Sequence, residues 1–140
     1  MQKRILIIDD EADFVELLQY RLQRDQVEFQ VASNGLEAMN LARAFDPHLI
    51  LLDVLLPDLD GLTLCSILRN DATTRETPIF IMSGVNTEVT RYSALIAGAQ
   101  EFFGKPVDFA VFEATVERAL GLKLPETFNL QPATLGSAAG

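Results

Sequence analysis

The chain has 140 residues and carries 20 acidic against 11 basic side chains, which gives a formal net charge of -9 at pH 7. This length supports a single domain with its own core, and 49% hydrophobic residues exclude a disordered chain. No apolar run approaches the roughly 20 residues that a membrane span requires, and a pI near 4.4 argues against direct binding of nucleic acid. Cys65 has no disulfide partner within the chain and no secretory signal follows Met1, so we expect a cytoplasmic protein.

The charged residues are unevenly distributed, which divides the chain into two parts. All but one of the acidic residues and all but one of the basic residues fall before residue 121. The segment after them contains proline, glycine, serine and alanine and has no sustained apolar period. The sequence therefore predicts a folded domain over residues 1–121 and a flexible C-terminal tail or linker over residues 122–140.

Short apolar runs alternate with helical patterns five times along the predicted domain. The predicted strands are, in chain order, Ile5–Ile8, Val27–Val31, Leu49–Leu52, Ile79–Met82 and Glu101–Phe103. Each strand is followed by mainly apolar residues at helical spacing, which we expect to face the sheet. These residues are Phe14, Leu17, Leu18 and Leu22, then Leu36, Met39 and Ala42, then Leu64, Ile67 and Leu68, then Val89, Tyr92, Ser93 and Ile96, and finally Phe109, Phe112, Val116 and Leu120.

The first, third and fourth predicted strands are apolar along their whole length. Strands of this kind are buried on both faces, which is typical of a parallel sheet with helices on each side. Five strand–helix units with right-handed crossovers predict an α/β fold, a doubly wound, flavodoxin-like sheet of order 2-1-3-4-5 flanked by five helices. In that order the chain changes direction between strands 1 and 3, so we expect a binding site at the carboxyl ends of those strands.

Polar side chains follow four of the five strands at their carboxyl ends. They are Asp9, Asp10 and Glu11 after the first strand, Asp53 after the third, Ser83 after the fourth and Lys105 after the fifth. Each taken singly also fits an ordinary helix cap or turn, but their shared position at one sheet edge favours a site. Carboxylates so close together repel one another unless a cation lies between them, and Mg²⁺ accepts such oxygen ligands. A magnesium ion beside a lysine predicts binding of a phosphoryl group.

Four segments together resemble the CheY-like receiver domain of two-component response regulators. They are ILIIDDE at 5–11, LLDVLLPDLDG at 51–61, IMSG at 81–84 and FFGKP at 102–106. The resemblance covers about residues 3–120. It implies that Asp53 accepts a phosphoryl group from the phosphohistidine of a sensor histidine kinase or phosphotransfer protein.

The resemblance also implies a metal and its ligands. Asp10, Asp53 and the backbone oxygen of Leu55 would hold Mg²⁺, or Mn²⁺ in its place, and Asp9 would assist through a water molecule. No general base is needed for this chemistry, because a carboxylate nucleophile is already ionised at neutral pH. The domain would then be a regulatory phosphoacceptor, not an enzyme in its own right, although it would assist its own phosphorylation and dephosphorylation.

A conformational switch follows from the same resemblance. Ser83 and Lys105 would bind phosphoryl oxygens, and Phe102 would be the aromatic switch residue. The surface formed by helix 4, strand 5 and helix 5 would then control a downstream output domain or protein, with a homodimer on phosphorylation as one arrangement. Leu55 and Val85 are apolar and cannot orient a hydrolytic water, so we expect a long-lived phosphoryl-aspartate.

Three other functions fit parts of the pattern less well. A magnesium-dependent phosphohydrolase with an aspartate nucleophile after strand 1 usually has Asp-x-Asp there, whereas this chain has Asp9-Asp10-Glu11. A flavin-binding module on the same fold needs a phosphate-binding loop that this acidic run would repel. A pseudo-receiver that acts only as an interaction module, independently of phosphorylation, would not need Asp53 and Lys105.

Overall fold

The computed structural model describes residues 2–123, which form a five-stranded parallel sheet between two layers of helices. The strands are β1 (Lys3–Ile8), β2 (Val27–Ala32), β3 (Leu49–Asp53), β4 (Ile79–Ser83) and β5 (Glu101–Gly104). The helices are α1 (Ala12–Leu22), α2 (Gly35–Phe45), α3 (Gly61–Arg69), α4 (Glu88–Ile96) and α5 (Phe109–Leu120). The strand order is β2-β1-β3-β4-β5, which confirms the predicted doubly wound fold. Within residues 2–123, no helix has the length and apolar character needed to cross a membrane.

The predicted tail over residues 122–140 lies almost entirely outside the described residues. Helix α5 ends at Leu120 and is followed by Gly121 in a left-handed conformation with φ 68°. Glycine adopts this conformation at little cost, and it is the usual residue just after a helix. The end of α5 is thus consistent with a domain boundary near residue 121, and the tail itself stays a prediction.

The registers of the parallel strands bring their carboxyl ends to one edge of the sheet. Ile8 on β1 is level with Leu52 on β3, so Asp9 and Asp53, the residues that follow them, come next to each other. Further along the sheet, β3 and β4 are paired up to Asp53, and β4 and β5 are paired up to Ser83. Four strand ends therefore present the residues after them to the same region.

Alternate residues of each central strand face opposite layers of the core. On β1, Leu6 and Ile8 pack in the cluster that α2, α3 and α4 cover, whereas Ile5 and Ile7 pack in the cluster that α1 and α5 cover. This two-sided burial explains why β1, β3 and β4 are apolar throughout. The edge strand β2 instead alternates between half-buried and exposed residues, as its period-two sequence predicts.

The predicted inward face of α4 is wrong. Val89, Tyr92 and Ile96 are 75%, 67% and 69% exposed, and the buried residue of this helix is Ala94. The helix carries an apolar stripe on its outer side, while its inner side uses a small residue that lets it lie close to the sheet. Helical spacing identifies a stripe but does not reveal which stripe faces the core.

The other helices follow the prediction more closely, with three exceptions. Leu18, Leu22, Ala42, Leu64, Leu68, Phe112, Val116 and Leu120 are buried as expected. Leu36 is 63% exposed, and Leu17 and Ile67 lie at the rims of their helices with 40% and 37% exposure. Each of these three is adjacent in sequence to positions of the buried stripe, so the predicted faces were too wide or slightly rotated.

Arg69 at the end of α3 connects two loops that precede the last strands. Its guanidinium donates hydrogen bonds to the carbonyl oxygens of Arg75, Thr77 and Gly98 at 2.7–3.0 Å, and to Oε1 of Gln100 at 3.0 Å. Gly98 has φ 109°, and a Cβ there would lie 2.8 Å from Cγ of Arg69. The planar fork of donors fixes the start of β4 and the start of β5 relative to α3.

Candidate functional site

Three carboxylates meet at the carboxyl edge of the sheet. Asp9, Asp10 and Asp53 each offer an oxygen, and these oxygens lie within 4.8 Å of one another. Asp9 and Asp53 are only 2% and 4% exposed, whereas Asp10 is exposed. A cluster of carboxylate oxygens with one side open to solvent suits a hard divalent cation that keeps several waters. The structure therefore brings together the three aspartates that the sequence predicted to lie near a metal.

The two buried aspartates keep their protons more tightly than ordinary aspartates. Burial raises the pKa of Asp9 to about 6, and the nearby charge of Asp53 adds to this, although a 2.8 Å hydrogen bond from the Glu11 amide opposes it. Burial also raises the pKa of Asp53, and the charge of Lys105 opposes that rise. Both shifts have the same cause, namely that negative charge is costly in a site with little solvent. A bound cation would relieve this cost.

Lys105 provides the positive charge of the site. Its Nζ lies 2.7 Å from Oε1 of Glu11, 3.4 Å from Oδ2 of Asp9 and 3.6 Å from Oδ2 of Asp53. It also lies 4.1 Å from the centre of the Phe14 ring, on its face. Burial alone would lower the pKa of Lys105, but the hydrogen bond to Glu11 and the charges of Asp9 and Asp53 outweigh burial and raise it. The ammonium is thus shared among three carboxylates.

Ser83 ends strand β4 and is completely buried. Its Oγ accepts a hydrogen bond of 3.0 Å from the Val85 amide, which leaves the hydroxyl hydrogen able to donate to another group. The carbonyl of Ser83 accepts the backbone N–H of Lys105 at 2.8 Å. The last two strands are therefore joined directly beside the acidic cluster.

Phe102 on β5 is half-buried and contacts Arg91 of α4. Arg91 is not among the site residues predicted from the sequence. The guanidinium of Arg91 lies 5.1 Å from the centre of the Phe102 ring, and its Nε donates a 2.9 Å hydrogen bond to Asn86 Oδ1. Asn86 in turn packs against Gly104, where a Cβ would overlap the Asn86 side chain. Arg91 thus links the predicted switch residue to the loop that follows Ser83.

The loop after Asp53 is fixed at two points. Asp58 accepts hydrogen bonds from the backbone N–H groups of Gly35 at 2.7 Å and Leu36 at 3.2 Å, which caps helix α2. These bonds hold the pKa of the Asp58 carboxyl below its usual value. At the other end, Gly61 lies so close to β3 that a Cβ there would overlap the Asp53 carbonyl oxygen. The sequence predicted a turn here but not its contact with α2, because the two partners are far apart in the chain.

The backbone around Leu55 is partly defined by Asp53. The Leu55 amide donates a hydrogen bond of 3.2 Å to Oδ1 of Asp53, and the Leu55 side chain points outward with 61% exposure. Val85, whose amide bonds to Oγ of Ser83, is 40% exposed. Both apolar side chains are therefore accessible to solvent.

Comparisons with known proteins show the family of the chain. The family model of the response regulator receiver domain matches residues 5–117. The chain is 36% identical over 124 residues to the response regulator PleD of Caulobacter vibrioides, covering 89% of the chain and 27% of PleD. It is 38% identical over 120 residues to the alkaline phosphatase synthesis transcriptional regulatory protein PhoP of Bacillus subtilis, covering 86% of the chain and 49% of PhoP.

Solved structures give the same result. The crystal structure of a two-component response regulator from Clostridium difficile is similar with a TM-score of 0.79 and 32% identity, over 85% of this chain and 96% of that one. The chain therefore belongs to the receiver domain family of two-component response regulators, which confirms the predicted resemblance. It spans between about a quarter and half of the length of the two curated relatives named above.

The raised pKa of Asp9 leads to a prediction about stability. In metal-free buffer at about pH 7.5, Asp9→Asn should raise the free energy of unfolding by about 1–3 kcal/mol, because it removes a buried charge. The folded protein binds the Asp9 proton more tightly than the unfolded chain does. The gain should therefore be full above about pH 6, shrink as the pH falls through this value and vanish below the ordinary pKa of 3.8. Urea unfolding followed by circular dichroism measures it.

A matched control is Asp25→Asn, since Asp25 is exposed in the loop before β2. This variant removes the same charge from the chain but should change the free energy of unfolding by less than about 0.5 kcal/mol at any pH. A loss of stability in Asp9→Asn above pH 6 would show instead that the negative charge of Asp9 holds the site together.

Proposed function

We propose that this domain is a phosphoacceptor switch. It takes a phosphoryl group onto Asp53 from the phosphohistidine of a sensor histidine kinase or of a phosphotransfer protein. The observation that carries this proposal is the position of Asp53, which is buried at the sheet edge with its carboxylate between two further aspartates and the ammonium of Lys105. An output domain or protein partner downstream is part of the proposal, since the chain matches only part of its curated relatives.

The transfer is a substitution at phosphorus. An Asp53 oxygen forms the new P–O bond while the P–N bond to the donor imidazole breaks, and the imidazole leaves with the bonding electron pair and takes up a proton. Lys105 faces the side of Asp53 on which negative charge accumulates, because its Nζ already lies 3.6 Å from Oδ2. Phosphoryl transfer needs positioning and charge compensation more than covalent assistance, which a fixed cluster of charges supplies.

The donor set also fits a magnesium ion, or manganese in its place. Asp10, Asp53 and the backbone oxygen of Leu55 would hold the ion, and Asp9 would assist through a water molecule. When bound, such an ion neutralises charge on the phosphoryl oxygens and on the carboxylates. The buried carboxylates have raised pKa values without it, so this chain's own residues favour a cation at the site.

Ser83 and Phe102 would convert phosphorylation into a change of surface. The Ser83 hydroxyl would donate to a phosphoryl oxygen, which draws the loop beyond β4 toward Asp53. Asn86 belongs to that loop and is bonded to Arg91, whose guanidinium covers the Phe102 ring. A movement of the loop would therefore reach Phe102 through Arg91 and shift the balance between two packings of α4 and β5.

The main rival is a phosphohydrolase that uses an aspartate after β1 as its nucleophile. Such a hydrolase would leave Asp53 without a role, although Asp53 is buried and its Oδ2 lies 3.6 Å from Nζ of Lys105. This position of Asp53 favours the phosphoacceptor over the hydrolase.

Incubation with acetyl phosphate and Mg²⁺ tests the proposed function. We expect intact-mass spectrometry to show one added phosphoryl group in the wild-type protein and in Asp60→Asn, and none in Asp53→Asn. Asp60 is a suitable control because it is exposed at the start of α3, in the same loop region. Absence of Asp53-dependent phosphorylation from small-molecule donors and from histidine kinases would favour the pseudo-receiver instead.

The exposed apolar side chain of Leu55, two residues after Asp53, leads to a second prediction, on the lifetime of the phosphoryl group. Leu55→Asn and Leu55→Glu should each shorten it several-fold, because a polar side chain at this exposed position can orient a water for attack on phosphorus. The measurement is loss of the added mass with time after the donor is removed. Val111→Asn, which changes an exposed apolar residue on α5, should keep the wild-type lifetime. Equal or slower loss in the Leu55 variants would contradict this role of position 55.

A further inference from the structure

Glu11 stands at the N-cap of α1, but its side chain does not cap the helix. It is the N-cap residue of α1, with an extended backbone, yet its carboxylate makes no capping hydrogen bond to the helix. Serine, threonine, aspartate and asparagine are the usual residues here, because their short side chains reach the free N–H groups of the first turn. Glu11 instead extends away from the helix and bonds to Lys105 at 2.7 Å. The Glu11 carboxylate thus makes a contact within the site instead of capping α1.

This contact dominates the environment of Lys105. The distance from Nζ to Glu11 is 0.7 Å shorter than that to Asp9 and 0.9 Å shorter than that to Asp53, as follows from 2.7, 3.4 and 3.6 Å. The ring of Phe14 supports the ammonium from one side at 4.1 Å. Lys105 is therefore held closest to Glu11 at the start of α1, with Oδ2 of Asp53 farther away at 3.6 Å.

The three carboxylates around Lys105 also differ in their access to water. The side chains of Asp9 and Asp53 are 0% and 6% exposed, whereas that of Glu11 is 62% exposed. Releasing Lys105 from Glu11 is cheap, because water can solvate the freed carboxylate. Releasing it from Asp9 or Asp53 would leave a buried charge without its partner. Glu11 is thus the partner that Lys105 can leave.

We propose that Glu11 is a positioning residue that binds the ammonium of Lys105 until a phosphoryl group arrives at Asp53. This inference rests on the proposed function and concerns the control of that same site. A phosphoryl group on Asp53 carries more negative charge than the Glu11 carboxylate, and it attracts the ammonium more strongly. Lys105 then moves to the phosphoryl oxygens, and the exposed Glu11 side chain turns to solvent. We call this ion pair between Glu11 and Lys105 the tether. The tether slows phosphorylation by weak donors, and it is present only in the unphosphorylated domain.

Two substitutions separate the tether from the charge of Glu11. Glu11→Gln removes the charge and weakens the bond to Lys105. Glu11→Asp keeps the charge, but its side chain is shorter by one carbon, roughly 1.5 Å, so it loses the contact and is suited to capping α1. Glu16→Gln is the matched control, because Glu16 is exposed on the same helix and the substitution changes the net charge equally.

The experiment follows the initial rate of phosphorylation by acetyl phosphate, in which the P–O bond to acetate breaks as the P–O bond to Asp53 forms. We expect both Glu11 variants to react about two- to fivefold faster than wild type at low donor concentration, the factor that loss of one exposed ion pair implies. The gain should be in the half-saturating concentration of acetyl phosphate more than in the maximal rate, since Lys105 is freed to bind the donor phosphate. Glu16→Gln should react at the wild-type rate.

Each possible outcome supports or overturns the tether or the proposed function. Faster reaction of Glu11→Gln with a wild-type rate for Glu11→Asp would mean that charge alone acts, and it would overturn the tether. Equal or slower reaction of both variants would also overturn it, because Glu11 would then support Lys105 in its productive position. Failure of the wild type to acquire an Asp53-dependent phosphoryl group would refute the proposed function, which is a different result from any of these.

Discussion

The cost of burying negative charge at one edge of the sheet governs the arrangement of the whole site. Asp9 and Asp53 are almost completely buried, and burial raises the pKa of each. Lys105 is the cation that the chain itself supplies, and it contacts both of them as well as Glu11. One ammonium among four acidic side chains does not balance the charge, which supports the proposal that the site takes a further cation.

The fold places these charges and keeps them in place. Parallel strands in the order β2-β1-β3-β4-β5 bring four carboxyl ends together, and the apolar strands behind them are anchored in two core layers. Asp58 fixes the loop beyond Asp53 to helix α2. On the other side, Arg91 and Asn86 connect the loop beyond Ser83 to α4. Asp53 thus lies between a loop bonded to α2 and a loop bonded to α4. This arrangement suits a site that passes a local change of charge to the surface.

Much of this could be predicted from the sequence because the relevant signals are local. Continuous apolar runs predicted β1, β3 and β4, which the structure confirms. The position of Asp53 directly after such a run predicted the candidate site. The contacts that sequence reasoning missed join distant residues, such as Lys105 with Glu11, 94 positions apart, and Asp58 with Gly35, 23 positions apart. The orientation of α4 was also mispredicted, because its apolar stripe faces solvent and Ala94 faces the sheet. Such choices depend on tertiary packing and not on periodicity.

We expect the buried carboxylates of the site to destabilise the folded domain until a cation binds. The most direct test is thermal unfolding in increasing Mg²⁺ at about pH 7.5, with sodium chloride added to match the ionic strength. We expect the Tm of the wild type to rise by several degrees at millimolar Mg²⁺, because a ligand that binds only the folded state stabilises it. Asp53→Asn should have a higher Tm than wild type without metal and should respond little to Mg²⁺. An unchanged wild-type Tm, or an equal rise in Asp53→Asn, would contradict the account.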